Sequence, residues 1–166
     1  MDSKSLIAET GLNFDKFTLG WIVGIIEGEG CLARNNTEDI LITVHMTDKD
    51  VIAKLASLFN RPYYTRKRKF NERLKDVYTF SLFGCIAVNL LKLIKPYLGV
   101  RRQCRADELL LMWSNKQKRK EKEFKIRMKR NKKIIALYKS GKYTKKALAK
   151  KFNMATVAFI LREAGL

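Results

Sequence analysis

The apolar positions of this chain change period several times, and each change marks a predicted element. The stretch TLGWIVGIIEGEGCL, residues 18–32, begins as a helix that is apolar on all sides and ends in glycines and acids. Alternation then predicts two strands, residues 31–34 and Ile40–Met46, joined by the polar turn NNTED. One row of the second strand should face the core and the other row a partner or water.

After the second strand, the spacing of apolar residues alternates between the helical and the strand pattern. Polar caps open a further helix, and strands and helices then alternate up to a lysine-rich stretch. The predicted elements are a helix at 51–59 capped by Thr47 or Asp48, a hairpin of 63–70 and 77–83, a helix at 85–94, a basic connector from Arg101 and a long helix at about 106–125. The expected fold class is α+β, with a core of order α-β-β-α-β-β-α over residues 14–125.

The end of the chain has a separate pattern. Residues 131–166 contain three short amphipathic stretches, at 132–139, 144–151 and 155–163. Three short helices in this order predict a helix-turn-helix DNA-binding domain, joined to the core by a basic linker at 126–130. The alternative is a helical cap on the main domain.

Charge narrows the class of partner. The chain carries a formal net charge of +19, and residues 116–166 hold 18 lysines and arginines against three glutamates. Such an excess favours a polyanion, and nucleic acid, an anionic membrane surface or a disordered basic tail could explain it. No apolar run is long enough to span a membrane. We expect double-stranded DNA as the partner, with no membrane and no small-molecule substrate.

The cysteines and the histidine bear on metal chemistry and compartment. The three cysteines are far apart, and there is a single histidine. This pattern argues against a disulfide framework or a zinc site, and it predicts a reducing intracellular setting.

The first helix contains an unusual stripe of glycines. Gly20, Gly24 and Gly28 recur every fourth residue, although each glycine inside a helix costs about 1 kcal/mol relative to alanine. A stripe without side chains lets another backbone approach closely. That backbone belongs either to another helix of the same chain or to the same helix of a second copy. Because no second glycine stripe exists, we expect a homodimer about a twofold axis, with Val23 and Glu27 also in the interface.

Two acids end the same helix. Glu27 and Glu29 lie where the helix dipole disfavours negative charge, and a twofold axis would bring four carboxylates together. A bound divalent cation would account for them, because it takes carboxylate and carbonyl oxygens as ligands. The alternative is that both glutamates are solvated in a turn.

These residues resemble a known family. IVGIIEGEG, residues 22–30, resembles the LAGLIDADG motif of homing endonucleases, and the order of elements after it is similar over residues 14–125. The resemblance implies a saddle fold in which two motif helices pack together and two four-stranded sheets lie on DNA. A chain with one motif is expected to act as a homodimer on a long, near-palindromic site. The expected reaction is an Mg²⁺-dependent double-strand break, with Ca²⁺ or Mn²⁺ as possible substitutes in vitro, made by an intron-encoded or related homing enzyme.

The resemblance also assigns roles to residues. Glu29 is the expected metal ligand, joined by the carbonyl oxygen of Gly28. Arg101, with Arg102 next to it, matches the basic residue that contacts the scissile phosphate or the attacking water. Thr47 is the expected water-orienting residue.

Base reading is expected from the strands and from the terminal domain. Arginine pairs best with guanine and asparagine with adenine, although such residues as often contact phosphate or only water. The expected DNA-binding residues are Arg34, Asn35, Asn36, Thr43, His45, Arg66, Lys67, Arg68, Lys69, Thr79 and Arg102 in the core, and Lys145, Lys146, Thr156, Val157 and Arg162 in the terminal domain, with Phe159 either beside them or in the core.

Two other functions remain open from the sequence. A DNA-binding regulator of the same fold would bind without cutting, and an intron splicing helper (a maturase) would bind RNA. Retention of both acids argues for cutting.

Overall fold

A computed structural model of the chain describes residues 12–67 and 75–166. They belong to two compact units, Met1–Asn115 and Lys116–Leu166. The first unit combines helices with an antiparallel sheet, and the second is helical. The α+β class expected from the sequence is therefore confirmed.

The described elements follow the predicted order closely. Helices are α1 Lys16–Glu29, α2 Lys49–Leu58, α3 Cys85–Ile94, α4 Val100–Lys139, α5 Lys145–Phe152 and α6 Met154–Glu163, with a short 3₁₀ helix at Lys95–Tyr97 after α3. Strands are β1 Gly30–Arg34, β2 Ile40–Met46, β3 Tyr63–Arg66 and β4 Val77–Phe83. The predicted third strand reached residue 70, but β3 ends at Arg66, and residues 68–70 lie outside the described part of the chain.

The four strands form one antiparallel sheet in the order β1-β2-β4-β3. Its register sets Gly30 opposite Val44 and His45 opposite Thr79. Because side chains alternate across a strand, one face carries apolar residues toward the helices and the other carries a mixed, more polar set. The buried residues of the inner face are Leu32, Ile40, Ile42, Val44, Phe80 and Leu82, which confirms the predicted alternation of β2.

The core of the first unit lies between this inner face and helices α1 to α3. α1 contributes Ile22 and Ile26, and α2 contributes Ile52 and Leu55, all nearly fully buried. Each such side chain stabilises the fold by about 1.5–3 kcal/mol relative to exposure. The burial therefore fixes the end of α1 against the sheet.

The prediction of a basic connector at Arg101 is wrong, because α4 begins at Val100 and is continuous to Lys139. No glycine or proline interrupts this segment, and its lysines, glutamates and leucines favour helix. Residues 126–130, which the sequence assigned to a linker, are helical as well. α4 thus contributes its first part to one unit and its remainder to the other.

The second unit has its own apolar cluster. Ile134 from the end of α4 meets Leu148 of α5 and residues of α6, including Ile160. Thr144 caps α5 by accepting the N–H of Ala147 at 3.2 Å. The predicted helices at 144–151 and 155–163 are therefore confirmed, whereas the predicted short helix at 132–139 is the end of α4. Across the described residues, no helix combines the length and apolar character needed to cross a membrane.

Candidate active site and nucleic-acid interface

The glycine stripe of α1 faces open space. Asp15 starts the helix by accepting the N–H groups of Phe17 and Thr18 at 2.9 and 3.0 Å. A Cβ atom added at Gly20, Gly24 or Gly28 would meet no atom within 4 Å. Among the described residues, no other helix of the chain therefore packs on the stripe.

Glu27 has partners within the chain. One of its carboxylate oxygens accepts the N–H of Gly99 at 3.2 Å, and the other lies 3.5 Å from Nε of Arg102. Glu27 therefore has a role within the fold of a single chain, without any bound cation. Its carboxylate ties the end of α1 to the start of α4, and its place in a dimer interface stays a prediction.

Glu29, in contrast, is exposed and has neither a hydrogen bond nor an ion pair among the described residues. It borders a surface cleft of about 290 Å³ together with Thr47 and Asp48. Thr47 follows the end of β2, and β2 pairs with β1 immediately after Glu29. The structure thus brings together Glu29 and Thr47, two of the residues that the resemblance assigns to the reaction.

Sequence reasoning treated Asp48 only as a possible helix cap. Asp48 does occupy the N-cap position of α2, but its side chain makes no capping hydrogen bond. Its carboxylate therefore adds a second acid to the cleft at Glu29. The sequence does contain a signal for this role of Asp48, because Asp48 directly follows Thr47, a predicted site residue at the end of β2.

The donors at this cleft suit a divalent cation such as Mg²⁺. Carboxylates at Glu29 and Asp48 are hard oxygen ligands. The helix ends at Glu29, so the carbonyl of Gly28 has no amide four residues on within the helix. Within the described residues, no group of three His, Cys, Asp or Glu side chains could hold a metal ion. One chain therefore offers only part of a coordination sphere.

Three arginines from the first turns of α4 lie beside β1. Arg102 donates from Nη1 to the carbonyl oxygen of Gly30 at 2.7 Å, and Arg105 donates from Nε to that of Leu32 at 3.3 Å. The side chain of Arg102 is only 14% exposed. The guanidinium of Arg102 is thus engaged within the fold, and its binding to DNA stays a prediction.

Arg101 remains available. It is exposed and borders a cleft of about 380 Å³ with Gly30, the residue after Glu29. Arg105 was missed by sequence reasoning, although its position four residues after Arg101 places both on one side of a helix. The difference between the adjacent Arg101 and Arg102 comes from the helical rotation between them.

The outer face of the sheet carries several of the predicted base readers. His45 and Thr79 are opposite each other, and Nδ1 of His45 lies 2.9 Å from Oγ1 of Thr79. Thr43 and Arg66 occupy the same face by register. None of the helices packed in the described core covers this face, since their buried residues meet the opposite one.

Other predicted readers of the two hairpins are placed differently. Arg34 pairs with Ile40, so its side chain is on the same face of the sheet as the buried residues. Its guanidinium lies 3.9 Å from the sulfur of Met112. Arg34 therefore does not share the face of Thr43 and His45, and its binding to DNA stays a prediction. The side-chain oxygen of Asn35 accepts the N–H groups of Thr37 and Asp39, which holds the turn.

The remaining predicted readers lie at the ends of the hairpins. Asn36 and Lys67 are exposed. Arg68 and Lys69, also predicted to bind DNA, lie outside the described residues.

The terminal unit exposes most of its predicted contacts. Arg162 is exposed, with its guanidinium 5.7 Å from the ring centre of Phe159, which is itself 56% exposed. Lys145 stacks its ammonium over Tyr138 at 5.5 Å, and Lys146 is exposed.

Two predicted contacts of α6 are less accessible. Thr156 is half-buried. Val157 is only 1% exposed, so it belongs to the apolar cluster and its prediction as a DNA contact is corrected.

Comparison with known proteins found no match to any protein-family model and no match among curated proteins.

Proposed function

We propose that this chain is a metal-dependent DNA endonuclease that works as a homodimer, similar to the single-motif LAGLIDADG homing endonucleases. The observation that carries the proposal is the division of the two motif acids. Glu27 is held by Gly99 and Arg102, while Glu29, at the end of α1, has no partner within the described part of the chain. Negative charge at a helix C-terminus is unfavourable. A bound cation would offset it and so account for the presence of this acid.

A second copy of the chain would complete both the interface and the site. The open stripe of α1 continues into Phe17, one turn before Gly20, whose side chain is 81% exposed. Val100, next to the Gly99 that contacts Glu27, is 77% exposed. Exposed apolar surface therefore lies near both ends of the stripe, and such surface is typical of an interaction site. Packing of two α1 helices along their glycines would cover it and bring two Glu29 carboxylates together in a saddle.

The outer face of the sheet is the proposed DNA-reading surface. Its uncovered row includes Thr43, His45 and Arg66, which offer both donors and acceptors to base edges. The net charge of +19 supplies attraction for the phosphate backbone. Because β1 follows Glu29 directly, DNA on this face would pass close to the end of α1.

The protein's own residues perform distinct parts of the reaction. Glu29 and the Gly28 carbonyl would hold the cation, and the Thr47 hydroxyl would orient a water beside the Glu29 carboxylate. Arg101 is permanently protonated, so it stabilises charge on the phosphate and cannot act as a base. Mg²⁺, when bound, neutralises phosphate charge and lowers the pKa of a water molecule. Asp48 supplies a further oxygen at the same cleft.

Cleavage of a plasmid library with randomised inserts, in Mg²⁺ and in EDTA, tests the proposal. We expect Mg²⁺-dependent linear product from the natural protein. Glu29→Gln should abolish the product while DNA binding in Ca²⁺ persists. The matched control is Glu27→Gln, the same chemical change two residues away, which should still cut.

Cleavage by Glu29→Gln at the natural rate would disprove the role of Glu29. DNA binding by the natural protein without any Mg²⁺-dependent product would instead favour a non-cleaving regulator of this fold. Tighter binding to intron RNA than to duplex DNA would favour a splicing helper.

A further inference from the structure

A surface cleft of about 650 Å³ in the second unit separates α4 from α6. Arg127, Arg130 and Asn131 border it from α4, and Thr156 and Phe159 border it from α6. Among the residues that the structure describes, no acidic side chain borders it. The wall formed by α4 is thus cationic, and the other wall belongs to α6, the last helix of the predicted helix-turn-helix, which in such domains lies in the major groove.

The two arginines of this wall have no ion-pair partner among the described residues. The guanidinium of Arg127 lies 5.4 Å from the ring centre of Phe124, which leaves its N–H groups free for an anion. Arg130 is exposed. Folding of the second unit does not use either charge, because its apolar cluster forms between Ile134 and the residues of α5 and α6.

The opposite wall adds groups that also suit a phosphate. Thr156 lies in the first turn of α6, where backbone N–H groups and a hydroxyl can donate to an anion. A helix lying in a major groove about 12 Å wide has a phosphate strand on each side. A cleft along the flank of such a helix is therefore where one of these strands would lie.

We propose that Arg127 and Arg130 bind the sugar–phosphate strand of duplex DNA that borders the groove occupied by α6. This proposal rests on the proposed function, which assigns duplex DNA as the partner. It makes the middle of α4 a part of the DNA-binding surface, whereas the sequence assigned residues 126–130 to a linker.

The same helix provides a matched control on another face. Lys118 and Lys129 border a separate surface of α4, and neither forms an ion pair among the described residues. At 3.6 residues per turn they point away from Arg127 and Arg130. Neutralising either pair with glutamine removes the same charge from the same helix, so the two variants are matched in charge and differ in position and in the type of cation.

The test measures binding of the full chain to a mixed-sequence DNA duplex by fluorescence anisotropy across a salt series. Removing one lysine or arginine that neutralises a phosphate lowers the slope of log K against log [salt] by about 0.9. We expect Arg127→Gln/Arg130→Gln to lower the slope by about 1.8 and to weaken binding roughly 10- to 30-fold at 0.15 M salt. We expect Lys118→Gln/Lys129→Gln to change the slope by less than half as much.

A third variant, Arg127→Lys/Arg130→Lys, keeps both charges and should keep most of the slope. Helical content by circular dichroism confirms that each variant is folded. Equal reductions in the two glutamine variants, or a larger reduction in the lysine pair, would overturn the proposal, because only total charge would then matter. Mg²⁺-dependent cleavage by the natural protein, measured on DNA that is fully bound, tests the proposed function separately. The proposed function and the role of Arg127 and Arg130 can therefore fail independently.

Discussion

The carboxylate of Glu27 lies 3.5 Å from Nε of Arg102, which joins the last turn of α1 to the first turn of α4. Arg102 also donates to the carbonyl oxygen of Gly30, so one guanidinium holds both the helix end and the strand that follows. Glu29 lies between these two contact points and has no such partner among the described residues. The motif therefore contains one acid that positions the helix and one that has no partner among the described residues.

Replacement of Arg102 should lower stability, and replacement of its neighbour should not. Arg102→Met removes the hydrogen bond to Gly30 and leaves Glu27 without its ion pair, which should cost about 1–3 kcal/mol in the free energy of unfolding. Arg101→Met, at an exposed position, should stay within about 0.5 kcal/mol. Urea denaturation followed by circular dichroism measures both.

In DNA cleavage, in contrast to stability, we expect the replacement of Arg101 to have a large effect. Arg101→Met should slow the reaction roughly 100-fold if its charge stabilises the phosphate in the transition state. Cleavage by Arg101→Met at the natural rate would remove Arg101 from the site.

A large side chain on the glycine stripe should break the dimer without harming the single chain. A Cβ at Gly24 meets nothing within 4 Å, and leucine favours helix over glycine by nearly 1 kcal/mol. Gly24→Leu should therefore keep or raise helix stability while shifting sedimentation equilibrium toward single chains. Ala136→Leu, at an exposed site of α4, should leave association unchanged. A dimer of Gly24→Leu as tight as the natural one would place the interface elsewhere.

The link between α5 and α6 should tolerate glycine better than a branched residue. Asn153 has φ of +82°, and its side chain accepts the N–H of Ala155 at 3.0 Å. Asn153→Gly keeps the backbone conformation and loses only the cap, so we expect a few tenths of a kcal/mol. Asn153→Val adds backbone strain and should cost about 1–3 kcal/mol. Thermal unfolding of the helices compares the two variants, and equal midpoints would contradict this expectation.

Acid should weaken the cap of α1. Hydrogen bonds from the Thr18 side chain and from the backbone N–H of Thr18 lower the pKa of Asp15 below its ordinary value. A lowered folded-state pKa contributes stability above the unfolded pKa, and this contribution is lost as the pH falls through the folded value.

Asp15→Ala should therefore be less stable than the natural chain at pH 7, and the difference should shrink below about pH 4. Urea midpoints at several pH values test the trend. Asp15→Asn, which keeps a capping oxygen without the charge, is the control. A difference that stays constant down to pH 2 would show that the charge is irrelevant.

The spacing of apolar residues, together with the capping residues, allowed most helices and strands to be predicted from the sequence. The alternation of Ile40, Ile42 and Val44 with Leu41 and Thr43 set the buried face of β2 correctly, because side chains of a strand alternate. These elements could be predicted because the positions of the apolar residues in the sequence show which side chains are buried.

Contacts between distant residues could not be predicted. Glu27 meets Gly99 across 72 positions of sequence, and nothing local to either residue signals the pairing. The same holds for Arg102, which looks identical to Arg101 until the rotation of α4 against β1 is known. The homodimer, the metal and the DNA target stay predictions, because each involves a molecule other than this chain.

The contacts that α4 makes with β1 also limit how the sheet can grow. β1 is an outer strand, and unpaired carbonyls on such a strand can recruit a strand from another molecule. Arg102 and Arg105 occupy the carbonyls of Gly30 and Leu32. These two carbonyls are thereby satisfied within the chain, so this edge of the sheet offers fewer free acceptors to a strand of another molecule.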